Sequence, residues 1–260
     1  MDNSLTRNNL EKLNLSYNLI NNHFNIQVKD SKKATSKDTL SPQNSIIESN
    51  GFNLLLDMSI NGEIDSILCK KKEIIYMEGK DSKGIYFLWK GKIKTYRIND
   101  QGKELVTKLV KEGDFFGYSA LLENEKYSDS TMALEDSIIC YVPKHAFFDL
   151  LNKKPEVSKK FTRLLLNQLK ENDDQLIELA YNSVRKRVAE ALSKFSTIYK
   201  KANEIDFEIN ISRADLAHIV GTAVETITRT LREFKDEGLI SIEKGSISIL
   251  NLSALSSLKN

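Results

Sequence analysis

The sequence predicts an α+β protein in three parts: an antiparallel β jelly roll, a long helix, and a C-terminal winged helix-turn-helix. Three observations carry this. Short apolar runs at Glu73–Met77, Gly84–Trp89, Lys92–Arg97, Leu105–Val110 and Ser137–Val142 are separated by Gly- and Asp-containing turns, the spacing of a β sandwich or jelly roll. From Pro155, Phe161, Leu165, Leu169, Asn172, Leu176 and Leu179 advance by threes and fours, the period of a long helix opened by proline. Between Ser212 and Gly238 two short helical patterns flank Gly221, and two alternating runs follow around Glu243–Ser246.

The composition narrows the classes. The chain has 260 residues, 40% hydrophobic and 28% charged, with formal net charge +2. No global polycation draws it to nucleic acid, so any DNA contact needs a local patch. Two cysteines, Cys69 and Cys140, exclude a disulfide framework or a four-cysteine cluster on one chain, and their apolar neighbours suggest inert buried thiols. The polar start MDNSLTRNNL is unlike a signal peptide, and no apolar run is long enough to cross a bilayer. A cytoplasmic protein with no membrane partner is expected.

In chain order, residues 1–51 turn to Lys, Ser, Thr, Asp and Asn after Val28 and read as a poorly ordered polar extension or linker, or a short partner-binding arm. Residues 52–154 form the β-barrel domain, with Phe52 to Ile67 as a lead-in helix. Residues 155–182 supply a long helix and hinge, with one face for the barrel and the other either buried on the same domain or open to a second copy as a short coiled coil. If the helix meets its twin, Phe161, Leu165, Leu169, Asn172, Leu176 and Leu179 are the dimer seam, where Asn172 is placed to fix register. Asn182 and Ser183 break the helix, and Ser183 is placed to cap the next, Val184 to Tyr199.

Residues 183–260 form the winged unit. Ser212 caps the first helix of the pair with Asp215 at capping-box spacing, and Gly221 ends it. Thr222 starts the second, through Glu237, with Glu225 at a second capping-box spacing. Val224, Ile227, Leu231 and Phe234 give a core face, while Thr228, Arg229 and Arg232 face outward. A second helix with Arg and hydroxyl side chains at its exposed start suits the DNA major groove. Val224, Glu225, Thr228 and Arg229 are the candidate base readers: Arg229 bidentate to guanine, Glu225 accepting from cytosine, Val224 and Thr228 touching thymine methyls. Ser212, Arg213, Thr222, Thr226, Arg232 and Lys244 are candidates for phosphate. No carboxylate pair, catalytic triad or phosphate loop emerges, so no catalytic or metal site is expected, and the protein is not read as an enzyme.

The stretches IYMEGKDSKGIYFLWKGKIKTYRINDQGKELVTKLVKEGDFFGYSALL and ISRADLAHIVGTAVETITRTLREFKDEGLI resemble the sensor barrel and DNA-binding helix pair of the Crp/Fnr transcription regulators, over about residues 52–258. The resemblance is nearest to a branch in which such a regulator follows a receiver domain, but residues 1–51 are too short for one. It implies a homodimer on double-stranded DNA, a palindrome of TTGA-like half-sites, a cyclic-nucleotide-binding-like barrel, and RNA polymerase as partner if the protein activates. It also exposes a departure. The family's ribose-binding Glu is Tyr118 here, and the segment that should offer a phosphate-binding Arg, Tyr127–Thr131, has none and adds Asp129. Tight cyclic AMP binding is therefore not expected, since a buried phosphate beside a carboxylate lacks a cation. The pocket around Tyr118, Ser119, Tyr127 and Ser128 either holds another effector or is filled by its own tyrosines. No cofactor is expected. The alternatives are a haem- or redox-linked gas sensor with His145 as ligand, and a ligand-binding module acting through protein contacts.

Overall fold

A computed structural model describes residues 64–200 and 207–258. Eight strands form two four-stranded sheets, β1 (Asp65–Cys69), β2 (Ile74–Tyr76), β3 (Gly84–Lys90), β4 (Ile93–Ile98), β5 (Glu104–Val110), β6 (Phe115–Phe116), β7 (Ser130–Ala133) and β8 (Ser137–Pro143). One sheet runs β1-β8-β3-β6 and the other β2-β7-β4-β5, each neighbour antiparallel. This is the expected double-sheet barrel.

β3 is buried on both faces, which explains its near-continuous apolar sequence. One face meets the opposite sheet through Leu88, Ile93, Val110, Phe116 and Ile139. The other packs under α2 (Lys144–Lys153) and the start of α3 (Pro155–Tyr181), where Ile85, Phe87, Phe115, Phe147, Leu150, Val157 and Phe161 meet; α1 (Tyr118–Glu123) lies between β6 and β7 in the chain. The lead-in helix expected to Ile67 is corrected at its end: Asp65–Cys69 is a strand, because Ile67 pairs with Ile139 on β8. A ladder from a distant strand overrides a local spacing that suited either structure. The rest of that expected helix, and the extension over 1–51, lie outside the described residues.

The turn after β3 is closed by Gly91, with φ 112°. A Cβ there would lie 2.7 Å from Ser137 Cβ and 2.9 Å from Ser137 Cα. Gly91→Ala combines positive-φ strain with overpacking and should destabilise the barrel by roughly 2–4 kcal/mol, read from urea unfolding. A loss under about 0.5 kcal/mol would mean this turn can relax.

α3 begins with Pro155 at its first turn, where the missing N–H has no cost. It ends at Tyr181, and α4 (Val184–Tyr199) follows after Asn182 and Ser183, capped by Ser183, which accepts from Lys186 N–H. Asn182 donates to both Glu190 carboxylate oxygens at 3.0 and 2.9 Å, bracing this junction. The C-terminal unit adds β9 (Glu208–Ile209), α5 (Arg213–Val220), α6 (Val224–Asp236), β10 (Ile240–Glu243), β11 (Ser246–Ile249) and α7 (Leu252–Ser256). The expected wing is present as β10-β11, turning at Lys244 and Gly245 with positive φ, and β9 joins as a third strand. Val188, Leu192, Phe195, Leu216, Val220, Ile227, Leu231, Phe234 and Ile247 form its core.

Candidate nucleic-acid interface

The helix pair is built by its caps. Ser212 Oγ accepts from Asp215 N–H at 3.0 Å, as the capping spacing requires. Gly221 closes α5 in the left-handed region at φ 70°. The second start differs from expectation. α6 is capped by Ala223, without a side-chain hydrogen bond, so Thr222 does not open it and Glu225 is not at a capping-box position. Thr222 instead sits in the turn, its N–H donating to Ala217 O. Glu225 is thereby released from the structural role that competed with base reading.

The two faces of α6 separate cleanly. Ile227, Thr230, Leu231 and Phe234 are buried, while Val224, Glu225, Thr228 and Arg229 are exposed together along its first turns. Arg229 is 74% exposed, with Glu233 3.9 Å away as the nearest paired carboxylate. Thr228 Oγ1 donates to Val224 O at 2.9 Å, so its hydroxyl is engaged on its own helix. Among the phosphate candidates, Ser212, Arg232 and Lys244 are exposed, and Arg213, Thr222 and Thr226 are half-buried. Burial lowers the Arg213 guanidinium, and one of its terminal nitrogens is buried without a hydrogen bond. Arg185 is not part of this face: it donates to Glu233 and Glu237 at the far end of α6 and lies over the Phe234 ring at 4.7 Å.

The four expected pocket residues differ in burial. Tyr118 and Tyr127 are buried in different clusters, and Ser119 and Ser128 are exposed. Tyr118 stands edge-on to Phe161 at 5.6 Å. Tyr127 stacks on Tyr76 at 3.9 Å, and Tyr86 and Phe116 extend the stack. Its hydroxyl is buried and makes no well-aligned hydrogen bond. Burial pushes the Tyr118 phenol up to about 12. Both cysteine thiols are buried and pushed up in the same way, Cys69 to about 11 and Cys140 to about 12.

The seam residues are corrected in part. Phe161 is buried in its own barrel core and Leu165 packs against it. Leu169 and Leu176 are 59% and 64% exposed, joined by Leu166 and Ile177. Asn172 is exposed and accepts from Gln168 on its own helix. Leu179 leans toward the helix pair, 3.5 Å from where a Gly221 Cβ would lie.

A junction missed by sequence reading ties the barrel to the helix pair. Lys94 Nζ on β4 donates to Glu104 Oε1 on β5 and to Asp215 Oδ1 on α5, both at 2.6 Å. His218 Nδ1 lies 3.1 Å from Glu104 Oε1. Burial alone would raise the Asp215 carboxyl, but Lys94 and Ser212 outweigh it and hold it below the ordinary range.

Residues 67–154 match the cyclic nucleotide-binding domain and residues 186–258 the Crp-like helix-turn-helix domain. Regulatory protein HlyX of Actinobacillus pleuropneumoniae is 30% identical over 200 residues, covering 74% of this chain and 83% of that protein. The chain belongs to the Crp/Fnr family. It is a DNA-binding transcription regulator of that type. The fumarate and nitrate reduction regulatory protein of Vibrio cholerae is 29% identical over 196 residues, 73% of this chain and 78% of its own length. In fold it is similar to FixK2 of Bradyrhizobium japonicum, with TM-score 0.69 at 20% identity over 76% of this chain and 98% of that one. It is also similar to a Crp/Fnr regulator of Thermus thermophilus, with TM-score 0.65 at 24% identity over 75% of this chain and 100% of that one. Crp/Fnr proteins are transcription regulators, a class distinct from enzymes. No helix among the described residues is long and apolar enough to cross a membrane.

Proposed function

We propose that this Crp/Fnr regulator binds double-stranded DNA as a homodimer in the cytoplasm, reading a palindrome of TTGA-like half-sites through the first turns of α6. The carrying observation is the joint exposure of Val224, Glu225, Thr228 and Arg229 while the opposite face is fixed in the core. Ser212, Arg213, Thr222, Thr226, Arg232 and Lys244 position it on phosphate. Exposed Leu166, Leu169, Leu176 and Ile177 on α3 support the dimer, since such a stripe is costly in water and suits a twin helix. If the protein activates, RNA polymerase is its further partner.

The aromatic stack around Tyr76 and Tyr127 supports a barrel filled by its own side chains. No cofactor is proposed, and the barrel is not read as a cyclic AMP site. His145 is exposed at the start of α2, outside the aromatic interior, so the haem-linked reading draws no support from its placement.

Fluorescence anisotropy of a TTGA-N6-TCAA duplex against a scrambled duplex, at two salt concentrations, tests the reading. Preference for the palindrome with a salt slope on both duplexes is expected. Cyclic AMP should leave the curves unchanged and give no micromolar heat by calorimetry. Equal binding to both duplexes would reject the operator, and micromolar cyclic AMP binding would reject the filled barrel.

A further inference from the structure

Lys94 is a charged side chain only 4% exposed, and it sits at the seam between two units. Desolvation of this ammonium is tolerated because two carboxylates meet it, one from each side of the seam. Glu104 belongs to the barrel hairpin, whereas Asp215 belongs to α5, the helix that carries α6 across the Gly221 turn. Asp215 is already engaged by Ser212, whose Oγ donates to its second oxygen at 2.6 Å. The lysine therefore joins the N-terminal turn of α5 to the sheet. Leu105 approaches the same seam, 3.4 Å from where a Gly221 Cβ would lie.

Among the described residues, Glu104, Asp215 and His218 also bring their ligand atoms within 4.8 Å of one another. The position between the two carboxylates is already held by the lysine ammonium. A divalent ion would have to displace it, so the cluster is a clasp rather than a metal site.

We propose that Lys94, Glu104 and Asp215 form an interdomain clasp that sets the orientation of the recognition helix α6 relative to the sensor barrel. Lys94 and Glu104 are thus positioning residues for DNA binding, although neither touches DNA. With Lys94 gone, Glu104 and Asp215 face each other across the seam without the ammonium that bridges them, and only the His218 imidazole, 3.1 Å from Glu104, stays beside them. Undocking lets both carboxylates return to water, so the cost falls on the seam more than on either fold. A dimer with free recognition helices loses the preorganised spacing of two half-sites, while each helix pair keeps its own contacts.

The DNA part of this inference rests on the palindrome reading above, so one readout is taken without DNA. Dyes on Glu123→Cys and Lys235→Cys, both exposed positions, carried by one protomer and mixed with excess unlabelled chain, report the barrel-to-helix-pair distance by single-molecule energy transfer. The parent should give one narrow distribution. Lys94→Met should broaden or shift it, Glu104→Gln should do so less, and Lys94→Arg should restore it. On DNA, Lys94→Met should weaken palindrome binding at least about tenfold and leave a single half-site unchanged. Equal loss on both DNAs would indicate a damaged helix pair and overturn the positioning role. An unchanged distribution in both Lys94→Met and Glu104→Gln would overturn the clasp. If the parent itself shows no palindrome preference, the operator reading fails, and the DNA-free distances still decide the clasp.

Discussion

Arg229→Ala is expected to weaken operator binding by about 1–3 kcal/mol, roughly 5- to 150-fold, and to remove discrimination at the G·C pair it reads. The size follows from what the side chain is free to do. Its side chain is 74% exposed, and its ion pair with Glu233 on the same helix spans 3.9 Å. Such an exposed pair contributes at most about 0.5 kcal/mol, so removing it should hardly disturb α6. Arg185 provides the contrast. It bonds Glu233 and Glu237 and covers Phe234, so its loss should lower stability and leave base preference intact. Anisotropy on the operator and on single-pair variants of it distinguishes the two. If Arg229→Ala weakens all sequences equally, Arg229 contacts phosphate and another residue reads the base.

Elements whose signals are local were legible in the sequence. α4 runs Val184–Tyr199 as expected because Ser183 caps it and its core face repeats every turn. The wing was legible because Lys244 and Gly245 accept positive φ between alternating strands. Sequence reading fails where the deciding partner is distant. The stacking of Tyr127 on Tyr76 was not legible, because the two lie far apart in the chain. Phe161 has the seam spacing of a dimer helix, but its ring meets Phe115, Tyr118 and Phe147 of its own barrel. Lys94 and Asp215 lie 121 residues apart, and neither carries a periodic signal that marks it as a seam residue. The exposed face of α6 was legible because exposure at the start of a helix follows from the core stripe opposite. The displaced cap was not, because Thr222 and Ala223 both precede an apolar run and only the backbone distinguishes them.

The inward placement of Phe161 limits which face of α3 is left for a second copy. Since Phe161 and Leu165 are turned to the barrel, a dimer must use what remains outside: Leu166, Leu169, Leu176 and Ile177. Leu169→Lys combined with Leu176→Lys should leave the fold intact, because both side chains are more than half exposed. In a two-fold dimer the pair changes four buried leucines. At about 1–2 kcal/mol for completing the burial of each, association should weaken by roughly 5 kcal/mol, more than about a thousandfold. Sedimentation velocity should then show monomer at concentrations where the parent is dimeric. Palindrome affinity should fall to that of a single half-site, because the second site no longer gains from the first. Retained dimerisation in a normally folded double variant would place the twofold axis on another face. The exposed leucines would then need a different partner, and operator spacing could no longer be argued from α3.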